Sequence, residues 1–445
     1  MYCLRFQVWL PVCMLLLSGC RQTGMDRTGH IAVIEVVQNL GKYQTIPVSE
    51  FVAGLEYIPL ETGDDCLIGV EENEYYVTVT ATHIFISGQY YCYAFGRDGR
   101  FLNRIGNRGQ GPGEYSSILG LSMDEKNRTL YLQAAGGALL EYSFDGVFRR
   151  SIKIPANAYQ LSSNPDNPPS VFSLNNVFFV HDNLFIGHVS NHRGNEKYNF
   201  HLFNDSGQVV KSFENHRLFN RTSSIFSPDD RAIKPFRISE NMYLKEYAND
   251  TLYGLNEQNE LIPQFVFDLG KYAYHLEKRR MDFIPSDTEA ANRMHEGLIY
   301  LPDRGRTAPL VGVPGHIFFS ISTFRPNTIH APFPNDLKSY NARGRALGLY
   351  DTVNQKTHLL DTDPDTRMAG LINDLDGGLP FWPRDYTSDN ELIDIWQAYQ
   401  MKEFLTEAYF AAHEIKDPQA HQKLKELLKI LKDDDNPVLV IGKLK

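Results

Sequence analysis

The sequence predicts an all-β chain folded as a β-propeller, on three observations: a hairpin signal that returns at a constant offset, further strand signals between its copies, and strand-like segments at both ends of the chain. Phe95-Gly96-Arg97-Asp98-Gly99-Arg100-Phe101, followed by Ile105, returns 47 residues later as Tyr142-Ser143-Phe144-Asp145-Gly146-Val147-Phe148, followed by Ile152. An Asp-Gly between two short apolar runs marks a hairpin, because a tight turn needs positive φ and glycine supplies it without steric cost. Looser copies follow at Phe203-Asn204-Asp205-Ser206-Gly207 before Val209, at Tyr253-Gly254-Leu255-Asn256 and at Tyr350-Asp351-Thr352-Val353-Asn354. Between the first two copies lie Ile118 to Met123 and Thr129 to Gln133, parted by the polar turn Asp124-Glu125-Lys126-Asn127, so each unit holds four strands. A period in the forties with four short strands is the pattern of propeller blades, none of which buries its faces without neighbours. A β-sandwich carries turn signals without this long-range period.

The two ends complete a ring. Ile46 to Glu61, with Leu55-Glu56-Tyr57-Ile58-Pro59-Leu60, and Pro437-Val438-Leu439-Val440-Ile441 both read as strands. Pairing them in one blade removes exposed sheet edges. A small helical insert is expected over about 390–432, before a closing strand at about 437–445. Leu392, Ile395, Trp396 and Tyr399 fall on one face at helical spacing; Leu424, Leu427, Leu428 and Leu431 do the same after Asp417-Pro418, a cap and first-turn proline. Lys423, Lys425, Lys429 and Lys432 read as the solvated side of that leucine stripe, in preference to a lipid contact.

Residues 1–19 read as a lipoprotein signal peptide: Arg5, an apolar stretch from Phe6 to Leu17, then Ser18 and Gly19 before Cys20. The apolar stretch is too short for a bilayer core of ~30 Å, which needs roughly twenty residues as a helix. Leu17-Ser18-Gly19-Cys20 matches the lipobox of bacterial lipoproteins, so a covalent lipid on Cys20 is expected, each buried CH₂ contributing ~0.8 kcal/mol to anchoring. Residues 20–44 are expected as a flexible tether, since Arg21-Gln22-Thr23-Gly24-Met25-Asp26 offers no apolar pattern. The expected location is the cell envelope, by lipid anchor at the outer membrane.

A net charge of −10 argues against a nucleic-acid partner, which needs a concentrated basic surface. Of five cysteines, Cys3 and Cys13 leave with the signal and Cys20 carries the lipid. Cys66 and Cys92 remain. Export permits a disulfide between them, yet two cysteines make no framework, and a pair of buried thiols is the favoured reading. The 24 Tyr and 27 Phe suit β-rich packing first and sugar-stacking surfaces second.

Four motifs resemble one family, the six-bladed β-propeller lipoproteins of Bacteroidetes, whose blades are similar to NHL repeats. They are Tyr57-Ile58-Pro59-Leu60-Glu61-Thr62, Gly109-Gln110-Gly111-Pro112-Gly113-Glu114-Tyr115, Asn373-Asp374-Leu375-Asp376-Gly377-Gly378 and Asp435-Asn436-Pro437-Val438-Leu439-Val440. The likeness covers about residues 45–445 and departs in loops 155–170 and 325–345. It implies six blades where the hairpin copies number five, and it carries no assigned activity. In some lipoproteins of that phylum an acidic run after the lipidated cysteine directs surface export; Arg21 stands in its first position here, which leaves periplasmic face and cell surface both open.

Few constellations suggest chemistry. In the loop from Gly109 to Tyr115 the glycines allow close backbone approach while Glu114 and Tyr115 supply an acid and an aromatic, which makes these two the candidate ligand-loop residues, although a tight crossover between blades explains the loop as well. His181, His188, His192 and His201 lie within one blade, whereas a channel metal needs ligands from several, so no metal site is assigned to them. Asp361, Asp363 and Asp365 fail as a calcium loop because Pro364 intervenes and Thr366 replaces the turn glycine. Asp374 and Asp376 are a better set of oxygen ligands, and a turn explains them equally. With no Gly-x-Ser-x-Gly, His-Glu-x-x-His or Cys-x-x-Cys, the leading expectation is a non-catalytic module, free of cofactors beyond its lipid, that binds a glycan or an envelope protein. The alternative is a metal-dependent lyase or lactonase working in the central channel.

Overall fold

The computed structural model describes residues 31–445 apart from 70–74, 160–169, 192–193, 219–231, 239–240, 247–248, 274–298, 301–309, 324–344, 364 and 367. Signal peptide, Cys20, His192 and most of the two divergent loops lie outside the described residues. Six antiparallel sheets follow one another around a ring. From axis to rim, the first blade is Tyr76–Val79, His83–Ser87, Cys92–Gly96 and Phe101–Arg104, and the second is Ile118–Asp124, Thr129–Ala134, Ala138–Ser143 and Phe148–Lys153. The third comprises Asn175–His181, Leu184–His188, Tyr198–Asn204 and Val209–Glu214; the fourth, Ala232–Ile238, Asn241–Glu246, Thr251–Leu255 and Leu261–Phe267. In the fifth, Ile299–Tyr300 and Val311–Val313 share the innermost place beside His316–Thr323, Arg345–Asp351 and Lys356–Leu360. The sixth takes Asp385–Tyr386, Glu391–Trp396 and Val438–Leu444 from the end of the chain and Val52–Pro59 from its beginning.

That last pairing closes the ring as expected, with Tyr57 opposite Val440 and Ile58 opposite Leu439. It also accounts for five hairpin copies in six blades. Every copy joins the third strand of a blade to the fourth, and in the sixth blade those two strands belong to opposite ends of the chain, so no turn links them. The turn glycine has a second duty beyond its φ. A Cβ on Gly99 (φ +82°) would lie 2.2 Å from Pro59 O, and one on Gly146 (φ +81°) would lie 3.0 Å from Arg104 O. Each turn therefore abuts the outer strand of the preceding blade. In the looser copies Asn259 and Gln355 hold the left-handed position, with φ of 56° and 53°.

Burial follows the blade interfaces. Phe85, Cys92 and Ala94 of the first blade pack on Leu121, Leu130 and Leu132 of the second, and Ile84 and Tyr93 pack on Ile393 and Leu439 of the sixth. No blade has a core of its own; each hydrophobic layer is shared, which is why the period extends around a closed ring.

Two expectations are corrected. Residues Glu391–Trp396 form the second strand of the sixth blade, not the start of the helical insert. Five consecutive buried residues from Leu392 to Trp396 suit a helix face or a doubly covered strand equally by spacing, and Ile393 and Ile395, β-branched and packed on both sides, favour the strand. The helices follow it. Counting from a short turn α1 (Val36–Asn39), they are α2 (Ala398–Phe404), α3 (Glu407–Ala412) and α4 (Pro418–Ile430), set between the second and third strands of the blade. Asp417 caps α4 by accepting from Gln419 N and Ala420 N, and Leu424 is buried with Leu427 and Leu428 packed behind it. Second, the tether expected over 20–44 ends early. Ala32–Ile34 pairs in parallel with Leu261–Phe267, and Tyr43–Gln44 with Lys356–Leu360, so this segment adds a rim strand to the fourth and fifth blades. Such short strands have no periodicity to read; the unpaired edge of the blade gives them their register. Among the described residues no helix is long and apolar enough to cross a membrane.

Candidate ligand-binding site

The inner strands of all six blades converge on a cavity of about 770 Å³ at the ring axis. It opens where first and second strands are joined, for its lining includes the turn residues Asp124 to Asn127, Asp182, Pro314 and Thr387 to Ser388. Among the described residues, the stretch 361–384 and the helical insert occupy the other face, because fourth-to-first and second-to-third connections emerge there. Val79, Leu121, Phe178, Phe236 and Val311 contribute apolar lining, while Ser122, Thr387 and Asn390 bring hydrogen-bonding groups. Phe236 and Phe178 are half-buried. Phe236 stacks on Tyr243 at 5.1 Å, which fixes its ring.

Several ionic groups of the wall are bonded within the protein, while Lys126 and the exposed Asp182 also line it. Arg384 Nε donates to Asp394 Oδ1 at 3.0 Å, and Asp394 also accepts from Trp382 N at 2.9 Å and Ile395 N at 2.8 Å. Burial pushes the Asp394 carboxyl up, against the lowering pull of Arg384. Arg237 donates to Val180 O, tying the fourth blade to the third. Asp124 accepts from the backbone and side chain of Asn127 at 3.1 and 2.7 Å. Glu125 accepts from Ser388 Oγ at 3.0 Å, across the hairpin of the first blade. His181 Nε2 lies 3.3 Å from Asn259 Oδ1. Among the described residues, no three of His, Cys, Asp and Glu are grouped to hold a metal.

The polar motif Asn373 to Gly378 lies on the opposite face and works as a clasp. Asp374 Oδ2 accepts from Ser49 Oγ at 2.5 Å and Lys416 Nζ at 2.6 Å, and Oδ1 accepts from Ser49 N at 3.0 Å. Burial alone would raise this carboxyl; the bonds from Lys416 and Ser49 outweigh it and hold it below the ordinary value. Asp376 Oδ1 accepts from Tyr57 Oη at 3.0 Å, Asn373 Nδ2 at 2.7 Å and Gly378 N at 2.9 Å, whereas Oδ2 is buried without a partner. Here burial wins, and the carboxyl sits above its ordinary value. His421 Nδ1 reaches Asp376 O at 2.7 Å. The motif thus joins the N-terminal strand, the turn Val48–Glu50 and the helical insert, with its carboxylate bonds going to protein donors.

Of the loop residues singled out in the sequence, Tyr115 is turned inward while Glu114 stays exposed. Glu114 accepts from Gly111 N at 2.7 Å, folding back on its own loop, and Tyr115 is 2% exposed with its hydroxyl donating to Ile105 O at 3.3 Å. The loop does run from the outer strand of the first blade to the inner strand of the second, and its exposed Glu114 stands outside the lining of the central cavity. Of the histidines, His181 reaches the cavity mouth while His188 and His201 are buried. Asp363 is spent on Thr366 and on His413 Nε2, 2.8 Å away. Cys66 and Cys92 are free and buried, and burial pushes the Cys92 thiol up to about 12. Sequence reasoning missed the cavity wall: Phe178 and Phe236 sit in ordinary strand patterns and Arg384 just before the short strand Asp385–Tyr386, and only the order of strands from axis to rim puts them in the channel.

Comparison with known proteins agrees with this architecture. A candidate exported protein from Bacteroides fragilis superposes with a TM-score of 0.61 at 15% identity, covering 94% of this chain and 100% of its own. A DUF4221 protein from Bacteroides vulgatus gives a TM-score of 0.43 at 9% identity, covering 88% and 97%. No curated protein matches the chain. A family profile described as a domain of unknown function, DUF4934, matches residues 31–443.

Proposed function

The chain belongs to the DUF4934 family, and from that premise we propose that it is a non-catalytic binding module, lipid-anchored through Cys20 to the cell envelope, that takes a neutral glycan into its central cavity. One observation carries the reading: the cavity wall sets two aromatic rings, Phe178 and the stacked Phe236, among neutral hydrogen-bonding groups, with its guanidinium Arg384 already paired to Asp394. A sugar ring offers apolar C–H faces to stack on Phe178 and Phe236 and hydroxyls for Ser122, Thr387 and Asn390, without asking the wall to release an ion pair. The leader over 1–19 and the exported neighbour from Bacteroides fragilis support the compartment.

The test is direct. Mature chain carrying Cys20→Ala is screened against neutral oligosaccharides, and Phe178→Ala and Phe236→Ala are compared with it at matched thermal stability. We expect one sugar class to bind and each substitution to weaken it by about tenfold, ~1.4 kcal/mol. Binding of no oligosaccharide, or binding indifferent to both substitutions, refutes the glycan reading; capture of an envelope protein in its place identifies the other class of ligand.

A further inference from the structure

The rim strand Ala32–Ile34 fixes how the anchored chain meets the ring. It runs parallel to Leu261–Phe267, the fourth strand of the fourth blade, with Ala32 opposite Phe265. Strand direction alternates within a blade, so every fourth strand runs away from the face that carries the first-to-second and third-to-fourth turns. The chain preceding Ala32 therefore arrives from that face, which is also where the cavity opens. Between Cys20 and Ile31 lie ten residues. Fully extended they reach about 35 Å, and as a flexible coil about 20 Å. From Ile31 back to the turn face is half a blade, roughly 10 Å at ~3.3 Å per residue. A coil of that length would clear the turn face by only about 10 Å.

Two side chains on that face fit contact with a bilayer. Val147 and Val353, 63% and 62% exposed, occupy third-to-fourth turns of the second and fifth blades, positions where a polar residue costs nothing. Three blades apart in a ring of six, they stand opposite each other across the cavity mouth. Apolar points on both sides of the mouth let this face lie flat on the membrane surface, and the side from which the chain reaches Ala32, not exposure alone, sets it apart from the helical face, where Ile430 is also exposed.

We propose that the lipidated chain lies with its turn face toward the bilayer that anchors it, so that the cavity takes its sugar from a membrane-borne glycoconjugate. This rests on the anchor and glycan readings above. Full-length lipidated protein in phosphatidylethanolamine vesicles, labelled at Asp389→Cys on the turn face or Glu414→Cys on the helical face, reports orientation through energy transfer to an acceptor in the bilayer. Cys66 and Cys92, being buried, leave the added thiol as the one labelled. The expected result is markedly greater transfer from position 389 than from 414, reduced by Val147→Asp with Val353→Asp and evened by a flexible insert of about twenty residues after Thr28. Equal or reversed transfer with the native leash overturns the orientation, as does protein that fails to stay on vesicles. A chain that orients this way yet binds no sugar in the soluble screen overturns the glycan reading alone.

Discussion

At the scale of single residues, buried carboxylates set the sharpest expectations. Asp394, 1% exposed, holds Arg384 and two backbone amides. Asp394→Ala takes this acceptor from a guanidinium and two backbone amides, and urea unfolding is expected to show a loss of about 3–5 kcal/mol. Asp376 behaves differently with pH. Its folded carboxyl sits above the ordinary value of 3.8, so in the window above 3.8 and up to the raised value the folded protein binds more protons than the unfolded chain. Stability from this residue is therefore lost as pH rises through that window. Melting temperatures taken from pH 3 to pH 7 are expected to move in favour of Asp376→Asn relative to the parent; a gap between the two that stays constant with pH refutes the assignment. None of this was legible beforehand, since Asp374 and Asp376 look alike in sequence. Lys416, which reaches one and not the other, comes from an insert 42 residues away.

Between residues and ring stand the turns and caps. Gly99→Ala meets both a positive φ and a carbonyl oxygen at 2.2 Å, while Gly41→Ala has nearly the same φ, 79°, and open space around it. The control is expected to cost about 1–2 kcal/mol from backbone strain alone, and the hairpin substitution clearly more, the excess measuring contact between blades. Asp417→Ala removes the cap of α4 and is expected to cost about 1 kcal/mol in thermal melts. Elements were legible where a local signal is unambiguous, as in Asp98-Gly99 or Asp417-Pro418. They were misread over 391–396, where a strand covered on both faces shows the same unbroken apolar run as a buried helix.

For the whole molecule, closure is the governing feature. Removing 438–445 takes out the strand between Glu391–Trp396 and Val52–Pro59 and is expected to leave a chain that shows no single cooperative transition when tested by calorimetry. Removing 31–44 strips only rim strands from two blades, and a lowered but still single transition is expected. By itself the sequence determined that the chain is a ring of four-stranded blades closed between its two ends, because hairpin turns and strand alternation are local properties and the period repeats them. Tertiary structure alone decided which side chains line the channel, that Tyr115 is buried while Glu114 stays exposed, that Asp374 and Asp376 clasp the ring, and that Ala32–Ile34 and Tyr43–Gln44 pair with the rim. Each of these depends on contacts between segments far apart in the chain: axial position on blade order, the fate of a carboxylate on the donors brought to it, and the rim strand on an edge that exists only once the blade has formed.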